Sequence, residues 1–216
     1  FIKSFLCAFA SLRQKLIWGV TMPSVLIPLA QGCEELEAVT LIDLLRRAQI
    51  EVVTAGLKPG PVTASHGTVL VPDTDLDRAL TRPFDMVVLP GGQPGATHLE
   101  NDARIQTLLK SMAADGKYTA AICAAPKVLA VAGLLDGHHA TCYPGSLDAK
   151  QFPKIHLDQG AVVRDGRVLT SRGPGTAMDF ALELIAVLVG AEKRDAVEKA
   201  LMRPVEQAPR QIPEWG

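Results

Sequence analysis

Two side chains in this sequence have the types and settings to do chemistry together. Cys123 ends the apolar run that begins at Tyr118, and Pro126 follows where the first turn of a helix tolerates a missing N–H. Strand, cysteine, helix is the outline of a nucleophile elbow. Such a turn strains the backbone and holds the side chain exposed above a sheet edge, beside the unpaired amides of the next helix. Those amides and the helix dipole favour a thiolate over a thiol. Glu37 is the second group, because its neighbours Leu36, Leu41 and Leu44 suggest a face turned inward. A carboxyl group beside a thiolate has its ionisation opposed by burial and by the like charge. It stays protonated and donates a hydrogen bond, as a thiolate stabiliser or a proton shuttle. The plainer alternatives are a cysteine used as core filler and an acid that complements a helix dipole, the second being the preferred reading for Glu34 and Glu35.

Other residues fall into supporting positions. Gly91 and Gly92 could leave backbone amides free to bind an oxyanion together with Cys123 and Ala124, although a double glycine alone also makes an ordinary turn. His66 is a loop residue that could approach the site or an interface. Tyr143, just before Pro144, lines the pocket with its hydroxyl or is a half-buried core tyrosine. Arg172-Gly173-Pro174-Gly175-Thr176 suits an anion contact, a site-shaping loop or a simple N-cap loop. Cys33 and Cys142 read as spectators.

These groups need elements to hold them. Residues 24–29 form an apolar strand, followed by a turn and a helix from about Cys33 to Ala48 with a stripe of Leu36, Val39, Leu41, Leu44, Leu45 and Ala48. Its acids come first and Arg46 and Arg47 last, matching the dipole. Residues 51–55 give a second strand and close a βαβ unit. Residues 62–65 and 68–71 make a side hairpin. Residues 85–89 form a buried strand, Asn101 is the N-cap expected for a helix carrying Ile105, Leu108, Leu109 and Met112, and the cysteine strand follows Gly116. Residues 140–143, 161–164 and 167–171 read as strands, the last two joined by a tight Asp165-Gly166 turn. Thr176 opens an apolar helix to Val189, and residues 192–202 form a last one. The alternation predicts a doubly wound α/β sandwich with its site at the carboxyl ends of the strands.

At 216 residues and 48% hydrophobic, the chain can bury a full core in one domain, expected over residues 22–202. A net charge of −1 supplies no basic footprint for a dedicated nucleic-acid surface. Four cysteines without a Cys-x-x-Cys pair and five histidines without ligand spacing argue against a metal or disulfide framework and for a reducing compartment. No apolar run approaches bilayer-spanning length, so a cytoplasmic protein with no membrane partner is expected. Residues 1–21 contain Lys3, Arg13 and Lys15 but no acid. They read as a non-core extension, with an organellar location if they are a targeting peptide. Residues 203–216, with three prolines and no periodicity, read as a loose tail.

Taken together, Gly32-Cys-Glu-Glu-Leu-Glu37, Val88-Leu-Pro-Gly-Gly92, Ala121-Ile-Cys-Ala-Ala-Pro126 and Thr170-Ser-Arg-Gly-Pro-Gly-Thr176 resemble the ThiJ/PfpI superfamily, in the branch of the parkinsonism-associated deglycase. The matching motifs run in family order from about Ser24 to Met202. The resemblance implies a flavodoxin-like homodimer without metal or organic cofactor. It makes Cys123 the nucleophile, Glu37 its carboxyl partner, and Gly92 and Ala124 the oxyanion donors. The implied substrates are methylglyoxal, glyoxal or their early adducts on thiols, amines and nucleotides; the alternative is an oxidation-sensing chaperone, with client proteins, that works through a Cys123 sulfinate. The protease-like branch carries histidine where this chain has Ala124, so peptidase activity is not expected. His66 and Tyr143 replace an arginine and a histidine of the human member.

Overall fold

The computed structural model describes residues 22–203, and the expectations for residues 1–21 and for the tail beyond 203 lie outside the described residues. The chain opens as β1 (Ser24–Leu29), α1 (Glu35–Arg47) and β2 (Glu51–Gly56), then makes a small antiparallel hairpin from β3 (Val62–Thr63) and β4 (Val69–Leu70). Next come β5 (Thr74–Asp75), α2 (Leu76–Ala79), β6 (Met86–Leu89), α3 (Gly95–Asn101), α4 (Ala103–Ala114), β7 (Tyr118–Ile122) and α5 (Pro126–Val131). The last third holds β8 (His139–Ala140), β9 (His156–Leu157), β10 (Val162–Asp165), β11 (Val168–Ser171), α6 (Ala177–Val189) and α7 (Ala191–Ala200).

Seven strands form one sheet in the order β10-β11-β7-β6-β1-β2-β5, parallel except where β10 returns antiparallel to β11. Successive side chains of β1 serve opposite faces, as a two-residue period requires. Val25, Ile27 and Leu29 join Leu41 and Leu45 of α1 and Phe180 and Leu184 of α6 in one cluster. Leu26 joins Val87 and Leu89 of β6, Ile105 and Leu109 of α4 and Leu129 of α5 in the other. The fold is the expected mostly parallel α/β sandwich. β2 lies on one side of β1 and β6 on the other, so the strand order reverses at β1, the place where such sheets open a crevice at their carboxyl ends.

Several local expectations are corrected. The first helix starts at Glu35, with the Glu34 side chain accepting from the Leu36 amide as its cap, rather than at Cys33. Only part of its apolar stripe is core: Leu41, Leu44 and Leu45 are buried, while Leu36 and Val39 are exposed on another face. Asn101 ends α3, a helix the sequence reading missed, and Asp102 caps α4 by accepting from the Arg104 amide at 2.9 Å. The strand expected over 140–143 contracts to His139–Ala140, which pairs with β9 outside the main sheet. The short β5 and α2 were also missed, since two paired residues and one helical turn carry no periodicity.

Candidate active site

β7 ends at Ile122 and the backbone turns into α5 through Cys123, whose φ of 64° is a left-handed conformation uncommon for a residue that bears a side chain. Both of its peptide groups are held. The Cys123 amide donates to the Ser171 carbonyl at 3.0 Å, and its carbonyl accepts from the Tyr143 amide at 2.8 Å. The turn is therefore bolted to the ends of two other segments. The thiol does not stand exposed above the sheet edge as anticipated; Cys123 is 8% exposed because Gly91, Glu37 and Ala124 close around it.

Glu37, in the first turn of α1, is fully buried, and its Oε2 accepts from the Gly91 amide at 2.8 Å. Its Oε1 lacks a well-aligned partner, yet the carboxyl and the Cys123 sulfur interact strongly enough to shift each other. Burial pushes the Glu37 carboxyl up to about 7, and the charge of Glu34 adds to this, against the pull of the Gly91 amide and the Cys123 thiol. The thiol is pushed up to about 12, first by burial and then by the Glu37 charge, while the Gly92 and Ala124 amides work the other way. Ionisation of the sulfur is thus not a gift of the helix amides, whose pull is outweighed by burial and by the Glu37 charge. It depends on Glu37 keeping its proton, because a buried pair this close carries one negative charge far more readily than two.

The glycine pair is required by space. A Cβ on Gly91 would lie 2.6 Å from the Cys123 Cβ and 2.9 Å from Glu37 Oε2, and Gly92, with φ 87°, passes against the backbone of Cys33 and Glu34. The Gly91 amide is consumed by Glu37, so it is not a free oxyanion donor; the Gly92 and Ala124 amides are the two that address the sulfur.

The remaining predicted pocket residues are dispersed. Tyr143 contributes its amide to the elbow, while its ring is exposed and packs beside Gly173. Arg172 does not offer an anion contact: its guanidinium donates to the Gln159 carbonyl at 3.1 Å and to Gln159 Oε1 at 2.7 Å. Gly173 and Pro174 begin a short 3-10 turn ahead of α6. His66 turns away to Glu34 and Glu35 and is absorbed in the hairpin. Ser171 and Thr176, part of the loop motif in the sequence, were given no role of their own there. The Ser171 carbonyl anchors Cys123, and its hydroxyl meets that of Thr176 at 2.8 Å, so the hydroxyl pair flanking Arg-Gly-Pro-Gly buttresses the elbow. Two hydroxyl residues bracketing a glycine-rich loop were the available signal. A cavity of about 430 Å³ lined by Leu29, Leu57, Val62, His98 and Arg104 contains neither Cys123 nor Glu37.

This arrangement matches known proteins along most of the chain. The model of the DJ-1/PfpI family matches residues 23–187. Protein dj-1beta of Drosophila melanogaster is 42% identical over 180 residues, covering 83% of this chain and 96% of the relative. Its crystal structure superposes with a TM-score of 0.81 at 40% identity, covering 86% of this chain and 100% of that one. The Caenorhabditis elegans protein named glutathione-independent glyoxalase DJR-1.2 is 36% identical over 178 residues, covering 82% and 94%. With a seven-stranded sheet of this topology and a cysteine at its elbow, the chain belongs to the DJ-1/PfpI family.

Proposed function

We propose that this protein is a cofactor-free glyoxalase or deglycase in which Cys123 is the nucleophile and Glu37 moves the proton. The observation that carries the reading is a fully buried carboxyl, raised to about 7, sharing one site with an elbow cysteine. A general acid–base works best with its pKa near the working pH, and this one is brought there by burial. The relative named as a glutathione-independent glyoxalase supports the same reaction class.

The chemistry balances without an external redox partner. Transfer of the thiol proton to the ionised Glu37 carboxylate gives the Cys123 thiolate, which attacks the aldehyde carbon of methylglyoxal; the alkoxide formed takes that proton back from Glu37, giving a hemithioacetal and an ionised Glu37. Its oxygen is held by the Gly92 and Ala124 amides. Ionised Glu37 then takes the proton from that carbon and returns it to the adjacent one. The former aldehyde carbon is thereby oxidised to a thioester while the ketone is reduced to an alcohol. Water hydrolyses the thioester, releasing lactate and the free thiol. The 8% exposure of the cysteine suits a small dicarbonyl or the tip of its adduct on a thiol, amine or nucleotide. A further part of the reading is a homodimer, supported by Leu36 and Val39 of α1 and Val69 and Val71 at the hairpin, large apolar side chains left exposed. Among the described residues, no helix is long and apolar enough to cross a membrane.

Purified wild type, Cys123→Ser and Glu37→Ala are given methylglyoxal, free and as an adduct on N-acetylcysteine, and the product is followed directly. Lactate from the wild type alone supports the proposal, and equal product from all three removes it. A chaperone role of the same sulfur would be revealed by peroxide-dependent suppression of client aggregation in the wild type and its loss in Cys123→Ser.

A further inference from the structure

Four donor atoms from two elements converge where α1 meets the β3–β4 hairpin. Ser65 Oγ lies 3.1 Å from Glu34 Oε2, 3.0 Å from Glu35 Oε2 and 3.1 Å from His66 Nδ1. His66 Nδ1 is in turn 3.2 Å from Glu35 Oε2 and 3.4 Å from Glu34 Oε2. The ligand atoms of Glu34, Glu35 and His66 all lie within 4.8 Å of one another. A tetrahedral ion bound at about 2.0–2.1 Å needs donors separated by about 3.3 Å, and five of the six edges of this set fall near that value.

The outer atoms of the set are tied down, so that the inner ones stay aimed. Glu34 Oε1 accepts from the Leu36 amide at 3.4 Å, and Glu35 Oε1 from the His66 and Thr68 amides at 3.1 and 3.4 Å, the His66 amide being shared with Glu35 Oε2 at 3.1 Å. Backbone groups thus fix each carboxylate and leave its Oε2 facing the centre, the role that surrounding hydrogen bonds play around metal ligands. Both carboxylates are largely shielded, at 12% and 14% exposure, and among the described residues no lysine or arginine pairs with either. What separates this group from an ordinary acidic helix start is the imidazole and the hydroxyl brought to it by the hairpin.

We propose that Glu34, Glu35, Ser65 and His66 form a binding site for one divalent first-row cation per chain, with Zn2+ as the matching ion. Two carboxylate oxygens, one imidazole nitrogen and one hydroxyl make a borderline donor set that suits small tetrahedral zinc over a larger, oxygen-seeking calcium. The ion balances the two carboxylates and clips the hairpin to the helix that carries Glu37. It takes no part in the chemistry at Cys123, and the site stands whether or not the proposed reaction does.

The full chain, stripped with chelator, is titrated with Zn2+ by calorimetry and with Co2+ by absorption spectroscopy. The expected result is one Zn2+ per chain, a tetrahedral Co2+ spectrum without a thiolate charge-transfer band, and affinity reduced at least about tenfold in His66→Ala and in Glu35→Gln. Cys123→Ser and His139→Ala should bind as the wild type does. His66 is 72% exposed, so His66→Ala keeps the fold and decides the matter even if Glu35→Gln loosens the hairpin. Wild-type affinity in His66→Ala, loss of binding in Cys123→Ser, or no saturable uptake overturns the proposal.

Discussion

Replacing Glu37 with glutamine probes the buried proton directly, through stability as well as rate. Glutamine keeps the shape, accepts from the Gly91 amide and turns an N–H toward the sulfur, but it cannot titrate. In the wild type, burial raises the Glu37 carboxyl from an ordinary 4.5 to about 7, so between those values the folded chain holds a proton that the unfolded chain has released. Stability conferred by that proton is complete below pH 4.5 and declines as pH rises toward 7. At about 1.4 kcal/mol per pH unit, the stability of the wild type relative to Glu37→Gln should fall by about 3 kcal/mol across this window. The raised thiol of Cys123 shifts stability only above its ordinary 9.0, outside the window. Other groups cancel in the comparison. Urea denaturation of both proteins at half-unit steps from pH 4 to 8 measures the difference. Curves that stay parallel to within about 0.5 kcal/mol would show that Glu37 carries no held proton, and the mechanism would lose its acid–base group. On rate, the same change should lower kcat for lactate formation by about 10² to 10⁴, the span of a lost acid–base catalyst.

At pH 8, where Glu37 is ionised and opposes the thiolate, iodoacetamide should alkylate Cys123 more slowly in the wild type than in Glu37→Gln; equal rates would remove the coupling. Gly91→Ala drives a methyl group into the Cys123 Cβ and Glu37 Oε2, so thermal denaturation should report a loss of about 1–3 kcal/mol together with nearly all activity. Arg172→Ala, whose guanidinium serves only Gln159 in the hydrogen bonds described, should leave kcat/KM for methylglyoxal within about twofold, since a surface change of this kind costs about 0.5 kcal/mol or less. If the proposed dimer forms through α1 and the hairpin, the double change Leu36→Glu and Val69→Glu should halve the mass seen by sedimentation equilibrium, because two charges would be buried without partners.

The amino-acid order alone was enough for the frame and for singling out two residues that the fold brings together. Short apolar runs mark β1, β6 and β7 because a central parallel strand is buried on both faces, and the proline at 126 marks where the helix after Cys123 starts. Cys123 and Glu37 were legible because each breaks the pattern around it, a thiol at a strand end and an acid among leucines. The proton's location was decided only in three dimensions. It depends on how deeply the folded chain buries Glu37, on the Gly91 amide that takes up one carboxyl oxygen, and on the closeness of two acids separated by most of the sheet in sequence. The same holds for His66, which stood in the sequence as a lone loop histidine. It gained its partners only because the hairpin folds back onto the start of α1, a long-range closure that leaves no mark in local spacing.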